Sequence, residues 1–312
     1  MKIDSEQNLF RLHIVLALLV CSLLLVTVAG ARAQEAPLDS YERLLPLQGG
    51  SNFRDMGGYQ TSSGETVARG MLFRSGAMVS LTESDMDYLE QFNFQTIVDL
   101  RSKEEVDLYP NYWVRQTPSI DYISVEYSML ESMGEMMSEL SELDPEDIDM
   151  SAIADSMGAM YRGFPEMLKP QLTSMFDSLL RQETPLVVNC SAGQDRTGFA
   201  SAVVLSVLGV PRDTIIEDYH LSTQFRRPDL EAGDVDLEEA AKTNGFAAMM
   251  LQFSGDEGAA EANPLYTGNG VSYLQFALQE IDARYGSVEA YLQQELGVDG
   301  DEIQQLKNLY LQ

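Results

Sequence analysis

Residues 185 to 198 read Pro185-Leu186-Val187-Val188-Asn189-Cys190-Ser191-Ala192-Gly193-Gln194-Asp195-Arg196-Thr197-Gly198. The apolar, β-branched run up to Asn189 has the pattern of a strand buried on both faces. After Gly198, Val203 to Leu208 forms the apolar body of a helix, which Gly209 closes with Pro211 two residues on. A cysteine therefore leaves a buried strand, a short loop with Gly193 follows, and an arginine stands six residues later at a helix start. Each part suits an anionic phosphate ester. The N–H groups from Ser191 to Arg196, with Ala192, Gly193 and Gln194 between them, are able to face one oxyanion, and the helix adds its positive dipole end. The same dipoles favour the thiolate of Cys190. Arg196 forks onto two phosphoryl oxygens, where a lysine would act only as a point charge.

Working outward, strands alternate with helices over one continuous length, which predicts a single α/β domain with a central, mostly parallel sheet flanked by helices. Short strands and turns are expected in the Gly-rich stretch from Gly49 to Gly76. A helix is expected from Thr82, its N-cap, to about Gln91, with Asp85 completing a capping box. A buried strand follows at Thr96–Leu100, another strand at Tyr122–Val125, and a helix at Leu172–Leu180. Between about 127 and 165 the composition turns to Met, Glu, Asp and Ser, with Met129, Met133, Met136, Met137, Met150, Met157 and Met160 in partial helical spacing. This segment reads as a helical insertion. It is either a substrate-facing lid of adaptable methionines or an ordinary packed helical pair.

The chain has 312 residues, 45% of them hydrophobic, which is ample for a core. Its 49 acidic residues against 20 basic ones give a net charge of -29, so no basic face for nucleic acid is expected. Any anionic substrate needs a local pocket of donors and arginine. Ile14 to Ala29 is an uncharged apolar run between Lys2/Arg11 and the sequence Ala31-Arg32-Ala33. It reads as a signal peptide over residues 1–33, with a retained N-terminal anchor as the competing reading and membrane contact only in that case. The mature domain, 34–312, then keeps one cysteine, Cys190, and one histidine, His220. That excludes an internal disulfide and a structural zinc site of the usual kind.

The loop resembles the Cys-x5-Arg signature of protein tyrosine phosphatases. The longer string Cys-x-x-Gly-x-Asp-Arg-Thr-Gly is similar to the bacterial branch that contains tyrosine and lipid phosphatases related to the secreted mycobacterial enzyme. Asn52 to Tyr59, Leu72 to Gly76, Val98 to Ser102, Ile216 to Tyr219 and Arg284 to Leu292 resemble that family's stretches in its order. The resemblance implies a phosphotyrosine-phosphatase-like fold and hydrolysis of phosphorylated peptides or small phosphate esters, without metal or other cofactor. It implies Cys190 as nucleophile, passing through a phosphocysteine. Asp195 is the implied general acid, with Asp99 as reserve, and Thr197 is a hydroxyl donor to the cysteine sulfur. Arg54, Arg74 and Arg101 are rare cations inside these stretches. They are read as pocket residues or as internal ion pairs with neighbours such as Asp55 or Asp99.

Two departures bear on substrate. Asn189 stands where the family has histidine, so that position carries no charge next to the nucleophile. Gln194 stands where the lipid-active member has lysine, which favours phosphotyrosine and aryl phosphates over phosphoinositides. The rival readings are a catalytically weak phospho-ligand binding module and a rhodanese-like sulfur-transfer loop. The Asp-Arg-Thr-Gly ending disfavours the latter. His220, on an expected helix, is read as structural, while Tyr112 and Trp113 fit either core or pocket rim. Substrate identity and oligomeric state stay open.

Overall fold

The strand ending at Asn189 lies at the centre of a five-stranded sheet. The computed structural model describes residues 42–131, 150–253 and 265–312. The strands are β1 (Arg54–Asp55), β2 (Leu72–Ser75), β3 (Thr96–Asp99), β4 (Asp121–Ser124) and β5 (Leu186–Asn189), in the order β1-β2-β5-β3-β4. All pairs are parallel except β1 with β2. The chain thus returns after β4 to insert β5 between β2 and β3, and the crevice beyond the strands' carboxyl ends opens at that reversal.

The helices are α1 (Glu83–Glu90), α2 (Lys103–Leu108), α3 (Tyr112–Gln116), α4 (Met150–Met167), α5 (Lys169–Leu180), α6 (Asp195–Val207), α7 (Arg212–His220) and α8 (Ser222–Phe225). Then follow α9 (Leu237–Ala240), α10 (Gly245–Phe253), α11 (Tyr273–Tyr285), α12 (Val288–Tyr291) and α13 (Gly300–Tyr310). The expected strands and the expected helix at Thr82 form as read. Thr82 accepts from the Asp85 N–H, and Asp85 returns the bond to the Thr82 N–H. The short helices α2 and α3, by contrast, had no expectation. The signal-peptide reading of 1–33 falls outside the described residues, as do Met133, Met136 and Met137.

Strand register sorts the sheet into two faces. Leu72, Leu186, Val98 and Val188 share one face and join the main core of α4, α5, α6 and the C-terminal helices, including Phe164, Phe176, Phe199 and Leu278. Phe73, Val187 and Ile97 share the other. There Phe73 meets Phe94 edge to face at 4.9 Å, and Phe94 meets Trp113 at 5.5 Å. Trp113 is therefore core, whereas Tyr112 is half exposed. In the insertion, Met129 is buried, and Met157 and Met160 pack against the main core. Among the described residues no helix is long and apolar enough to cross a membrane.

Because the Thr82 side chain closes a two-way cap, Thr82→Ala is expected to lower the unfolding free energy by about 1 kcal/mol and Thr82→Ser by much less. Urea denaturation of the three proteins measures it.

Candidate active site

The last register row of the parallel strands sets Ser75 beside Asn189 and Asn189 beside Asp99, all on one face. Cys190, the next residue, turns to the other face and is buried. The loop after it is held from behind, by its carbonyls. The Ser191 carbonyl accepts from Ala77 N–H at 2.8 Å. Asn52 Nδ2 donates to the carbonyls of Ala192 at 3.2 Å and Gly193 at 2.8 Å, and Arg74 donates to the Gly193 carbonyl at 2.8 Å. In a trans peptide the N–H points opposite to the C=O. Pulling three successive carbonyls outward therefore turns the N–H groups of Ala192, Gly193 and Gln194 inward. None of those three N–H groups has a hydrogen-bond acceptor among the described residues. Gly193 makes this possible, with φ of +64°; a Cβ there would lie 2.4 Å from the backbone of Ser75 and Gly76.

One buried carboxylate organises the clamp. Asp218, from α7, receives Arg54 Nε at 3.1 Å, an Arg74 guanidinium N–H at 2.7 Å and the Tyr59 hydroxyl at 2.9 Å. Burial alone would raise its pKa, yet the Arg54 and Arg74 charges hold it far below the ordinary carboxylate range. Arg54 is itself pushed down to about 10 by burial and by Arg74. Arg54 also donates to Asn52 Oδ1, and so steadies the side chain that grips the loop.

Arg196 leaves the loop at the start of α6 and is met end-on by Glu105 of α2. Two bonds of 2.6 and 2.7 Å join them, and a further Arg196 N–H reaches the Tyr127 hydroxyl at 2.8 Å and the Leu100 carbonyl at 3.2 Å. That geometry occupies the outer edge of the guanidinium and leaves the edge carrying Nε–H for a ligand. Burial would raise Glu105, but Arg196 and the donors Ser191 Oγ and Ser102 N–H keep it at about 2. Ser191 thus braces Glu105 with its side chain, at 2.5 Å, while Tyr109 bonds the same hydroxyl at 3.0 Å.

Asp195, the first residue of α6, is half-buried and bonded by the Tyr161 hydroxyl from α4 and by Gln194 Nε2 at 3.3 Å, both on Oδ1. Gln194 carries no charge, but its Oε1 accepts from Arg226 at 2.8 Å, so a cation stands at the rim after all. Glu231 balances it with two bonds, of 2.7 and 3.0 Å. The Thr197 hydroxyl is fully buried and has no hydrogen-bond partner among the described residues. It is not bonded to the Cys190 sulfur here.

Three expected site residues stand behind the loop and not in the pocket. Asp99 is fully buried, and both its oxygens are taken by Arg101, Tyr122 and Asn189 Nδ2. No lone pair is left open for proton transfer to a substrate, so its position is that of an anchor for Asn189. Arg101 is spent on Asp99 and on the Tyr109 carbonyl. Arg54 pairs with Asp218, where Asp55 was the expected neighbour. Asp55 caps the turn at Gly57 and Gly70 instead. His220 is structural as read, bonded to Ser272 at 3.0 Å. Sequence reasoning missed Glu105, Tyr127, Tyr161, Asp218 and Arg226 as members of the site. Glu105 had a local signal, the capping box Ser102-Lys103-Glu104-Glu105 directly after β3, and Asp218 lay in the family-like stretch Ile216 to Tyr219. The others arrive from distant segments.

A cysteine at the mouth of a central strand, facing inward N–H groups and a braced arginine, belongs to the Cys-x5-Arg class of phosphoester enzymes. The chain is a phosphatase of the tyrosine phosphatase family, whose sequence model matches residues 45–312. A protein of Cupriavidus necator assigned to the tyrosine-protein phosphatases is 29% identical over 263 residues, covering 84% of this chain and 86% of that one. The triple specificity protein phosphatase PtpB of Mycobacterium tuberculosis is 25% identical over 287 residues, covering 85% of this chain and 98% of its own length. The solved structure of P. aeruginosa TpbA in complex with pTyr overlaps more loosely, with a TM-score of 0.29 and 14% identity, over 58% of this chain and 90% of that chain.

Two expected outcomes follow from the buried charges. Asp218→Asn leaves Arg54 and Arg74 facing each other without an anion, and should lower the unfolding free energy by about 3–5 kcal/mol in urea denaturation. Glu105 is a carboxyl depressed on folding, from 4.5 to about 2. Its contribution to stability is complete above the unfolded value and is lost as pH falls towards the folded one. Unfolding free energy should therefore decline from about pH 5 to about pH 3, and the decline should be shallower in Glu105→Gln.

Proposed function

We propose that the protein is an exported, cysteine-dependent phosphatase that hydrolyses phosphotyrosine and other aryl phosphate monoesters through a phosphocysteine intermediate. The observation that carries this reading is the outward restraint of the Ser191, Ala192 and Gly193 carbonyls, which leaves a ring of N–H donors next to Cys190. In the first step the Cys190 thiolate attacks phosphorus and the bond to the aryl oxygen breaks, with Asp195 giving its proton to the departing oxygen. In the second, water attacks phosphorus while Asp195 takes a proton from it. The S–P bond breaks, releasing phosphate and the thiolate. Arg196 holds two phosphoryl oxygens with its free edge, and Glu105 prevents it from swinging away. With Asp99 occupied on both oxygens, Asp195 is the better placed of the two acids.

Export rests on the apolar run Ile14 to Ala29 and the Ala31-Arg32-Ala33 ending. It predicts a mature chain beginning at Gln34, which N-terminal sequencing of the fractionated protein reads directly. A broader specificity, toward esters bearing a second anionic group, is favoured by Arg226 at the rim beside Gln194.

Activity is tested by p-nitrophenol release and by phosphate release from a phosphotyrosine peptide, with thiol and without added metal. Cys190→Ser is expected to fall to background and Asp195→Asn to lose about 100-fold in kcat. Wild-type protein that binds the peptide but releases no phosphate between pH 5 and pH 8 would replace the enzyme by a binding module.

A further inference from the structure

The Met-rich segment delivers one side chain to the chemistry. Tyr161 of α4 is fully buried, and its hydroxyl bonds Asp195 Oδ1 on one side and the Tyr219 hydroxyl of α7, at 2.5 Å, on the other. A phenol has one proton. With the Tyr161 proton on the carboxylate, the bond between the two phenols is donated by Tyr219, so the chain runs Tyr219 to Tyr161 to Asp195.

The surroundings hold this chain rigidly. The Tyr161 ring stacks on Tyr273 of α11 at 5.8 Å, tilted by 23°, and lies 4.7 Å from Phe164. Tyr219 packs edge-on against Tyr161 and closely over α6, where a Cβ at Gly198 would lie 2.7 Å from its ring. Gly198 of the Asp-Arg-Thr-Gly string therefore admits the second tyrosine. Neither hydroxyl ionises in this setting, because burial, reinforced by the Asp195 charge, pushes both phenols well above their ordinary range. Both remain donors throughout the working pH range.

Both bonds that Asp195 accepts among the described residues fall on Oδ1. That orients the carboxyl plane and leaves Oδ2 as the oxygen that carries the acid proton. We infer that Tyr161, backed by Tyr219, is the positioning residue of the general acid, and that the insertion around α4 contributes to catalysis through this hydroxyl. The inference rests on Asp195 being that acid. Other groups acting on Asp195 are Gln194 from the loop and, electrostatically, Arg226. Arg226 also acts on Cys190, and Arg74 acts on Tyr219.

The test compares two leaving groups. Phenol departs as a poorer anion than p-nitrophenol and depends more on the acid. Tyr161→Phe keeps the ring and removes only the hydroxyl. In the full mature protein it is expected to lower kcat/KM for phenyl phosphate about tenfold more than for p-nitrophenyl phosphate. Tyr219→Phe, one bond further away, should give a smaller preferential loss on phenyl phosphate and serves if Tyr161→Phe folds poorly. In an Asp195→Asn background, Tyr161→Phe should cost little more. Equal losses on both esters, while Asp195→Asn still discriminates between them, would overturn the role of Tyr161 alone. Failure of Asp195→Asn to discriminate would remove the acid assignment itself, and the inference with it.

Discussion

The site depends on Asp218 buried between Arg54 and Arg74. Two guanidinium groups in the interior repel one another and are expensive to desolvate. One carboxylate accepting from both, and from Tyr59, makes the group tolerable. In return Arg74 and, through Asn52, Arg54 reach the carbonyls of the loop. The inward turn of the loop's N–H groups is then a consequence of what pulls on its back. Donors aimed at carbonyls outside the ring force the N–H groups to face its centre.

The same logic explains why stretches far apart in the chain form one unit. Asn52 and Arg54, Arg74, and Asp218 with Tyr219 come from three of them and meet behind residues 192–195. A fourth, around Asp99 and Arg101, holds Asn189 from the neighbouring strand. The uncharged Asn189 is thereby fixed by hydrogen bonding, without the cation a histidine would supply. Its Oδ1 nevertheless has no partner among the described residues. Charge near Cys190 is instead carried by the Arg196–Glu105 pair and by Arg226 at the rim. The arginines near the loop are each tied to a named carboxylate, so what they offer an anionic ligand is directed N–H donors more than net positive charge.

Much of this architecture is written locally. The β-branched run 186–189, the Cys-to-Arg spacing, the glycines at 193 and 198 and the cap at Thr82 each act over a few residues, and the structure realises them where they were read. Roles that depend on one side chain finding another across the fold were harder to read. Asp99 at a strand end is indistinguishable in sequence from a catalytic carboxylate. Only the register that sets it against Asn189, and Arg101 folding back onto it, make it an anchor. Glu105 reads as an ordinary capping residue until α2 brings it to Arg196.

By itself the sequence determined the parallel α/β plan and set Cys190, Arg196 and the loop between them at the end of the central strand, because hydrophobic period, turn chemistry and motif spacing are short-range properties of the chain. Tertiary structure alone decided which cations face a ligand and which are buried as ion pairs, and that Arg226 stands beside the neutral Gln194. It also decided that a tyrosine from the Met-rich segment reaches Asp195. Those outcomes turn on distances between residues tens to hundreds of positions apart, and packing, which no local pattern encodes, sets such distances.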